Sequence, residues 1–333
     1  MDKMKFTQVI PRLRVLETRL LDKAKIDRMI DSNSAEEALK VLQETEYSNV
    51  MTNVKRVEHY EYMLSEELKR VYHEVYSMSP VKSLVDIMSI KYDYHNIKVI
   101  LKGMFLEKDF SHMFMEVGMM DASKMKVDIE TGNFSSFPST MRKAIEETIE
   151  DFNAKKDPQR IDVILDNYMF ENMRELAKEL DDTFTSKYVS ALIDLTNLKT
   201  LLRVKKQNKD RDFLLSLVIE GGSIDKDVLV ALLSDSVENI AGKLAHTDYE
   251  EVLKLGVEDF AQTGSAGLLE KLVDNYIMDL MKSAKMIPFG GEPLLAYIYA
   301  KETEIKVIRI IMVGKLNNIA GEVIRERLRD IYV

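Results

Sequence analysis

The amino-acid sequence predicts an all-α protein built from three similar helical domains around a pseudo-threefold axis. Three observations carry this expectation. Glycine (13) and proline (6) are scarce in 333 residues, while 46% of the side chains are hydrophobic, so helix breakers are few and core-forming residues ample. Apolar residues recur at helical spacing: Ile90, Tyr94, Ile97, Leu101 and Phe105 step by three and four, the period of a helix with one buried face. A polar signature beside that stripe then returns twice along the chain.

The first domain, residues 1–117, carries the signature as Asp93-x-x-Asn96-Ile97-Lys98-x-x-Leu101-Lys102. Asp93 and Asn96 lie one helical turn apart on the flank of the apolar stripe, a place from which they can order the helix against the next segment or domain. The second domain, 118–221, opens at the breaker Gly118 and repeats the signature as Asp194-x-x-Asn197-Leu198-Lys199-x-x-Leu202-Arg203, an offset of 101 residues. The third, 222–333, begins within the breaker Gly221-Gly222 and carries the weaker copy Lys301-x-x-Glu304-Ile305-Lys306-x-x-Arg309-Ile310, a further 107 residues on. Here Lys301 and Glu304 replace Asp and Asn, so three chemically identical sites are not expected.

Other matches agree with this spacing. Asp166-Asn167-Tyr168 recurs as Asp274-Asn275-Tyr276, 108 residues later. The stretch Leu42-Gln-Glu-Thr45-Glu-Tyr47 resembles Leu244-Ala-His-Thr247-Asp-Tyr249 at an offset of 202. A period of this length exceeds the ~20–50 residues of common solenoid repeats and equals a small domain.

Chemistry-bearing patterns are sparse. There is no Gly-x4-Gly-Lys-Ser/Thr loop to cradle nucleotide phosphates; Gly314-Lys315 is followed by Leu316. The chain has no cysteine, which removes disulfides, thiolate metal sites and a Cys nucleophile and suits a reducing compartment. Asp181-Asp182 begins like a metal motif that Thr185 ends, Glu146, Glu147 and Glu150 read as a solvated helix face, and the lone His95 has no repeated partner. Neither cofactor, metal nor catalytic residue is expected. The longest apolar run, Leu294–Ala300, is far too short to span a membrane, and a net charge of −9 argues against broad nucleic-acid binding. A cytoplasmic protein is the expectation.

Local basic runs stand out against that acidic balance. Lys199, Arg203, Lys205, Lys206 and Lys209 contain no acid among them; they either neutralise a helix C-terminus or form a docking surface. With Lys98, Lys102, Lys306 and Arg309 on the other signature helices, Lys199, Arg203, Lys205 and Lys206 are candidate partner-interface residues, whereas Asp93, Asn96, Asp194, Asn197 and Glu304 are candidates for a structural role. An N-terminal run from Lys3 to Arg28 offers a second basic patch.

An all-helical chain with three diverged D-x-x-N-[IL]-K helices resembles the C subunits of the A/V-type rotary ATPases, equivalent to the eukaryotic V-ATPase d subunit. The opening RLRVLETRLLDKAKIDRMIDSNSAEEALKVLQETEY is similar to the start of that family, and the resemblance runs from end to end. It implies a funnel-like, non-catalytic vessel peripheral to the membrane, set on the proteolipid rotor ring and receiving the central shaft of the D and F subunits, within a complex that couples ATP to ion transport. A generic helical scaffold without a rotary role is the alternative.

Overall fold

In the computed structural model, which describes residues 2–333, every regular element among the described residues is helical. The chain forms two compact units: residues 86–266, and residues 2–85 together with 267–333. Along the chain run α1 (Val9–Glu17), α2 (Lys23–Asp31), α3 (Ala35–Val41), α4 (Tyr60–Met78) and α5 (Ser83–Leu106). Then follow α6 (Ala122–Glu130), α7 (Ser139–Lys155), α8 (Pro158–Leu180), α9 (Thr183–Lys206), α10 (Arg211–Leu217) and α11 (Lys226–Ala231). The last are α12 (Val237–Lys243), α13 (Glu250–Thr263), α14 (Gly267–Lys282), α15 (Glu292–Leu316) and α16 (Gly321–Arg327), with short 3-10 turns between several of them.

Each unit is organised on a long helix that neighbours wrap. In the 86–266 unit, α9 is contacted by α8, α10 and α11, while α7 lies against α8 and α12 against α13. In the other unit, α15 is contacted by α1, α2, α3, α4, α14 and α16. A helix surrounded in this way is apolar on most sides rather than along one stripe, and α15 is buried almost continuously from Glu292 to Ile298. The stripe of α5 is buried at Ile90, Tyr94, Ile97 and Leu101, and Phe105 stacks on Phe152 of α7 with centroids 3.9 Å apart.

Helix starts follow their local sequence. Asp22, Asp121, Asp182 and Asp225 each sit in extended backbone and accept a hydrogen bond from an N–H of the first turn, which satisfies donors that have no partner inside the helix. Asp182 also accepts the Thr185 hydroxyl at 2.7 Å. The Asp-Asp-x-x-Thr stretch is therefore the N-terminal cap of α9.

Candidate functional site

The three signature helices each pin a distant stretch of backbone. On α5, the Asn96 amide donates to the Met115 carbonyl and its carbonyl oxygen accepts from the Met115 N–H, both at 2.9 Å. One turn earlier, the Asp93 carboxylate accepts from the N–H groups of Met119 (2.9 Å) and Met120 (3.1 Å). The next residue, Asp121, caps α6.

On α9 the same geometry recurs. Asn197 donates to Ile219 O at 2.7 Å and accepts from Ile219 N at 2.9 Å. Asp194 accepts from the N–H groups of Ser223 (2.9 Å) and Ile224 (3.0 Å), from the Ser223 hydroxyl (2.6 Å) and from Tyr249 Oη (2.8 Å). Asp225 then caps α11. All four side chains are buried, and each of their bonds to backbone saves a main-chain group from being unpaired away from water.

The two glycine breakers have a physical reason. A Cβ on Gly118 would stand 2.1 Å from Asp93 Oδ1, and one on Gly222 would stand 2.0 Å from Asp194 Oδ1. Only a residue without a side chain lets the backbone come this close to the carboxylate.

On α15 the chemistry changes but backbone is still held. Glu304 accepts from Leu21 N and, at 2.9 Å, from Tyr47 Oη, and Asp22 caps α2 directly afterwards. Lys301 occupies the place of the Asp and is 1% exposed. Its ammonium lies 2.7 Å from Glu304 and 2.9 Å from Glu67 of α4, and 4.6 Å from the Tyr47 ring centroid. Arg70 grips the other side of Glu67 through two bonds, at 2.8 and 2.9 Å. Burial pushes the Glu67 carboxyl up, yet the Arg70 hydrogen bonds and the Lys301 charge outweigh it and hold it below its usual range. Burial opposes the charge on Lys301, and the charges of Glu304 and Glu67 override it to raise that group.

Glu67, Arg70 and the two tyrosines escape a reading of the signature alone. Tyr47 and Tyr249 had a signal: they end the two matching stretches 202 residues apart, and both donate to the carboxylate of a signature helix. Glu67 and Arg70 had none, because nothing in α4 marks the buried cation they meet.

Most of the candidate interface cations are engaged inside their own unit. Lys98 pairs with Asp166 at 2.6 Å and Lys102 with Asp162 at 2.7 Å. Lys306 pairs with Asp274, and Arg309 with Glu61 at 2.7 Å. Lys205 donates to the carbonyls of Leu233 and Asp235, and Lys206 to that of Gly264. Lys199 is half-buried and Arg203 exposed. His95 lies 3.0 Å from the Met113 carbonyl. Glu146, Glu147 and Glu150 lie on α7, where Glu147 accepts from Tyr168. An open cleft of about 1090 Å³ lies in the 86–266 unit between α8, α9 and the 218–226 segment, lined by Arg174, Lys178, Glu171, Glu175 and Glu220 among others. Among the described residues, no helix is long and apolar enough to cross a membrane.

Comparison with known proteins bears on what such an arrangement serves. The family model described as ATP synthase (C/AC39) subunit matches residues 9–327. The C subunit of the V-type sodium ATPase of Enterococcus hirae is 28% identical over 329 residues, covering 99% of each chain. The C subunit of the A-type ATP synthase of Methanocaldococcus jannaschii is 26% identical over 350 residues, covering 98% of this chain and 87% of that one. Its namesake from Pyrococcus abyssi is 24% identical over 336 residues, 96% of this chain and 89% of the relative.

Proposed function

Since the chain belongs to the ATP synthase (C/AC39) subunit family, we propose that it is the central-stalk socket of an A/V-type rotary ATPase, coupling the D–F shaft to the membrane proteolipid ring without catalysing a reaction itself. The observation that carries this reading is the family match over residues 9–327, supported by relatives of nearly the same length that are named as subunits of a V-type ATPase and an A-type ATP synthase.

The physical character of the chain suits a part that passes torque. Transmission needs elements that do not yield, and close-packed helices are poorly compressible. The pins on α5, α9 and α15 tie each long helix to backbone 19 or more residues away, which stiffens segments that would otherwise be loops. At Asp93, Asp194 and Glu304 the hydroxyl and N–H donors end on carboxylates, where hydrogen bonds are about twice as strong as neutral ones.

The recurrence of acid, pinned N–H and following Asp cap on three helices favours triplication of a domain, with bounds near 1–117, 118–221 and 222–333. In this reading the third helix takes its pinned backbone from the chain's beginning, at Leu21. A pseudo-threefold funnel then meets a ring on one side and offers a receptacle to a shaft on the other.

The test is direct. The purified full chain is mixed with a purified D–F pair and analysed by sedimentation, with ATP turnover measured in parallel. A one-to-one complex without turnover is the expected result. Failure to bind D–F, or turnover by the chain alone, contradicts the proposal.

A further inference from the structure

Asp93 and Asp194 hold equivalent backbone by unequal means. Both carboxylates are fully buried. Asp194 collects four donors, two of them hydroxyls, from Ser223 and Tyr249. For Asp93 the bonds are the two backbone N–H groups of Met119 and Met120. Met119 stands where Ser223 stands in the second arrangement: each follows the close-approach glycine and each donates its N–H at 2.9 Å. The methionine side chain has no hydroxyl to add. A buried carboxylate needs donors to replace its lost water, and Asp93 has the poorer set.

We propose that Asp93 makes the first pin acid-tightened: residues 115–121 close onto α5 more firmly in mild acid than at neutral pH, because closing at neutral pH buries a charge that two N–H groups compensate incompletely. What the pin controls is a methionine-bearing surface, since Met119 in the segment and Met113 just before it are 40% and 47% exposed. Such side chains adapt readily to a partner, and the pin decides how rigidly they are presented.

The sign follows from linkage. Burial, opposed by the Met119 and Met120 N–H groups and aided by the charge of Asp86, pushes Asp93 up from 3.8 to about 6. When the segment opens and water reaches the carboxyl, the ordinary value returns. Protons therefore bind the closed form better, and closure weakens as pH rises through about 6. Other titratable groups here include Tyr94 and His95 on α5, Glu116 and Asp121 on the segment, and Glu175, Glu171 and Tyr168 of α8, which act on Tyr94. An imidazole with Nε2–H donates to the Met113 carbonyl both neutral and protonated, so acid leaves that bond in place.

Hydrogen exchange of the full chain tests this, read on a peptide spanning 115–121 and corrected for intrinsic rates. Protection at about pH 5 should exceed that at about pH 7.5 by about ten-fold, with the 219–225 peptide as internal reference. Met119→Ser, which supplies the missing hydroxyl, should remove most of that difference. Equal protection of the parent chain at the two pH values overturns the proposal, as does an undiminished difference in Met119→Ser. If the variant does not fold, the comparison on the parent chain decides by itself.

Discussion

Asn197 and Ile219 exchange two hydrogen bonds across 22 residues of chain, the side-chain amide donating at 2.7 Å and accepting at 2.9 Å. Asn96 and Met115 do the same across 19. A side chain that satisfies both main-chain groups of one residue acts as a short stretch of pairing strand, although the protein is helical.

Removing that exchange leaves a backbone N–H and C=O unpaired. Asn197→Leu is expected to cost about 1–3 kcal/mol, and Asn96→Leu a similar amount, seen as a lowered melting temperature. D–F binding measured well below the transition should be retained. Parent-like melting combined with lost binding would make the pair an interface feature instead.

The glycines give a sharper contrast. Gly222→Ala forces a Cβ to within 2.0 Å of the Asp194 carboxylate, so it should destabilise by about 1–3 kcal/mol, as overpacked sites do. A Cβ on Gly242 in α12 would meet nothing within 4 Å, so Gly242→Ala should leave stability unchanged or raise it by up to about 1 kcal/mol. Chemical denaturation of the two variants side by side distinguishes a steric requirement from a general intolerance of substitution.

The unit formed by residues 2–85 and 267–333 rests on a buried charge cluster. Lys301→Met strips Glu67 and Glu304 of their shared cation and is expected to cost about 3–5 kcal/mol. The same cluster makes the unit acid-sensitive. The Glu67 carboxyl is held below its ordinary 4.5, so its contribution is fully present above that value and is lost as pH falls through the lowered one. Thermal melts across this acid range should show a steeper loss for the parent chain than for Glu67→Gln, which has already forfeited that contribution.

Much of this was legible in the sequence, and the remainder was hidden for identifiable reasons. The apolar period of Ile90, Tyr94, Ile97 and Leu101 announces a helix because it depends on local geometry alone. The Asp-x-x-Asn pair shows at once, yet its partners are main-chain atoms of Met115, Met119, Ile219 and Ile224, which have no side-chain signature. Gly118 and Gly222 read as breakers, whereas the carboxylate that excludes a Cβ there is visible only in three dimensions. The substitution of Lys301 for Asp was plain, but not that Glu67 arrives from α4 to neutralise it, or that Leu21 and Tyr47 come from the opposite end of the chain.

The basic run on α9 makes a prediction against its own interface role. Lys205 and Lys206 already serve the carbonyls of Leu233, Asp235 and Gly264. Reversing both to Glu should lower the melting temperature and leave the D–F association rate and its salt slope unchanged. A slower association whose salt dependence flattens would return these lysines to the docking surface, since steering by charge acts mainly on the on-rate.

The most direct measurement is capture of the tagged full chain from gently solubilised native membranes, with every co-purifying chain identified and quantified. A central-stalk socket brings down the D and F subunits and the ring proteolipid in fixed ratio. Recovery of the chain with none of these three, under conditions that keep the rest of the ATPase together, would contradict the proposed role.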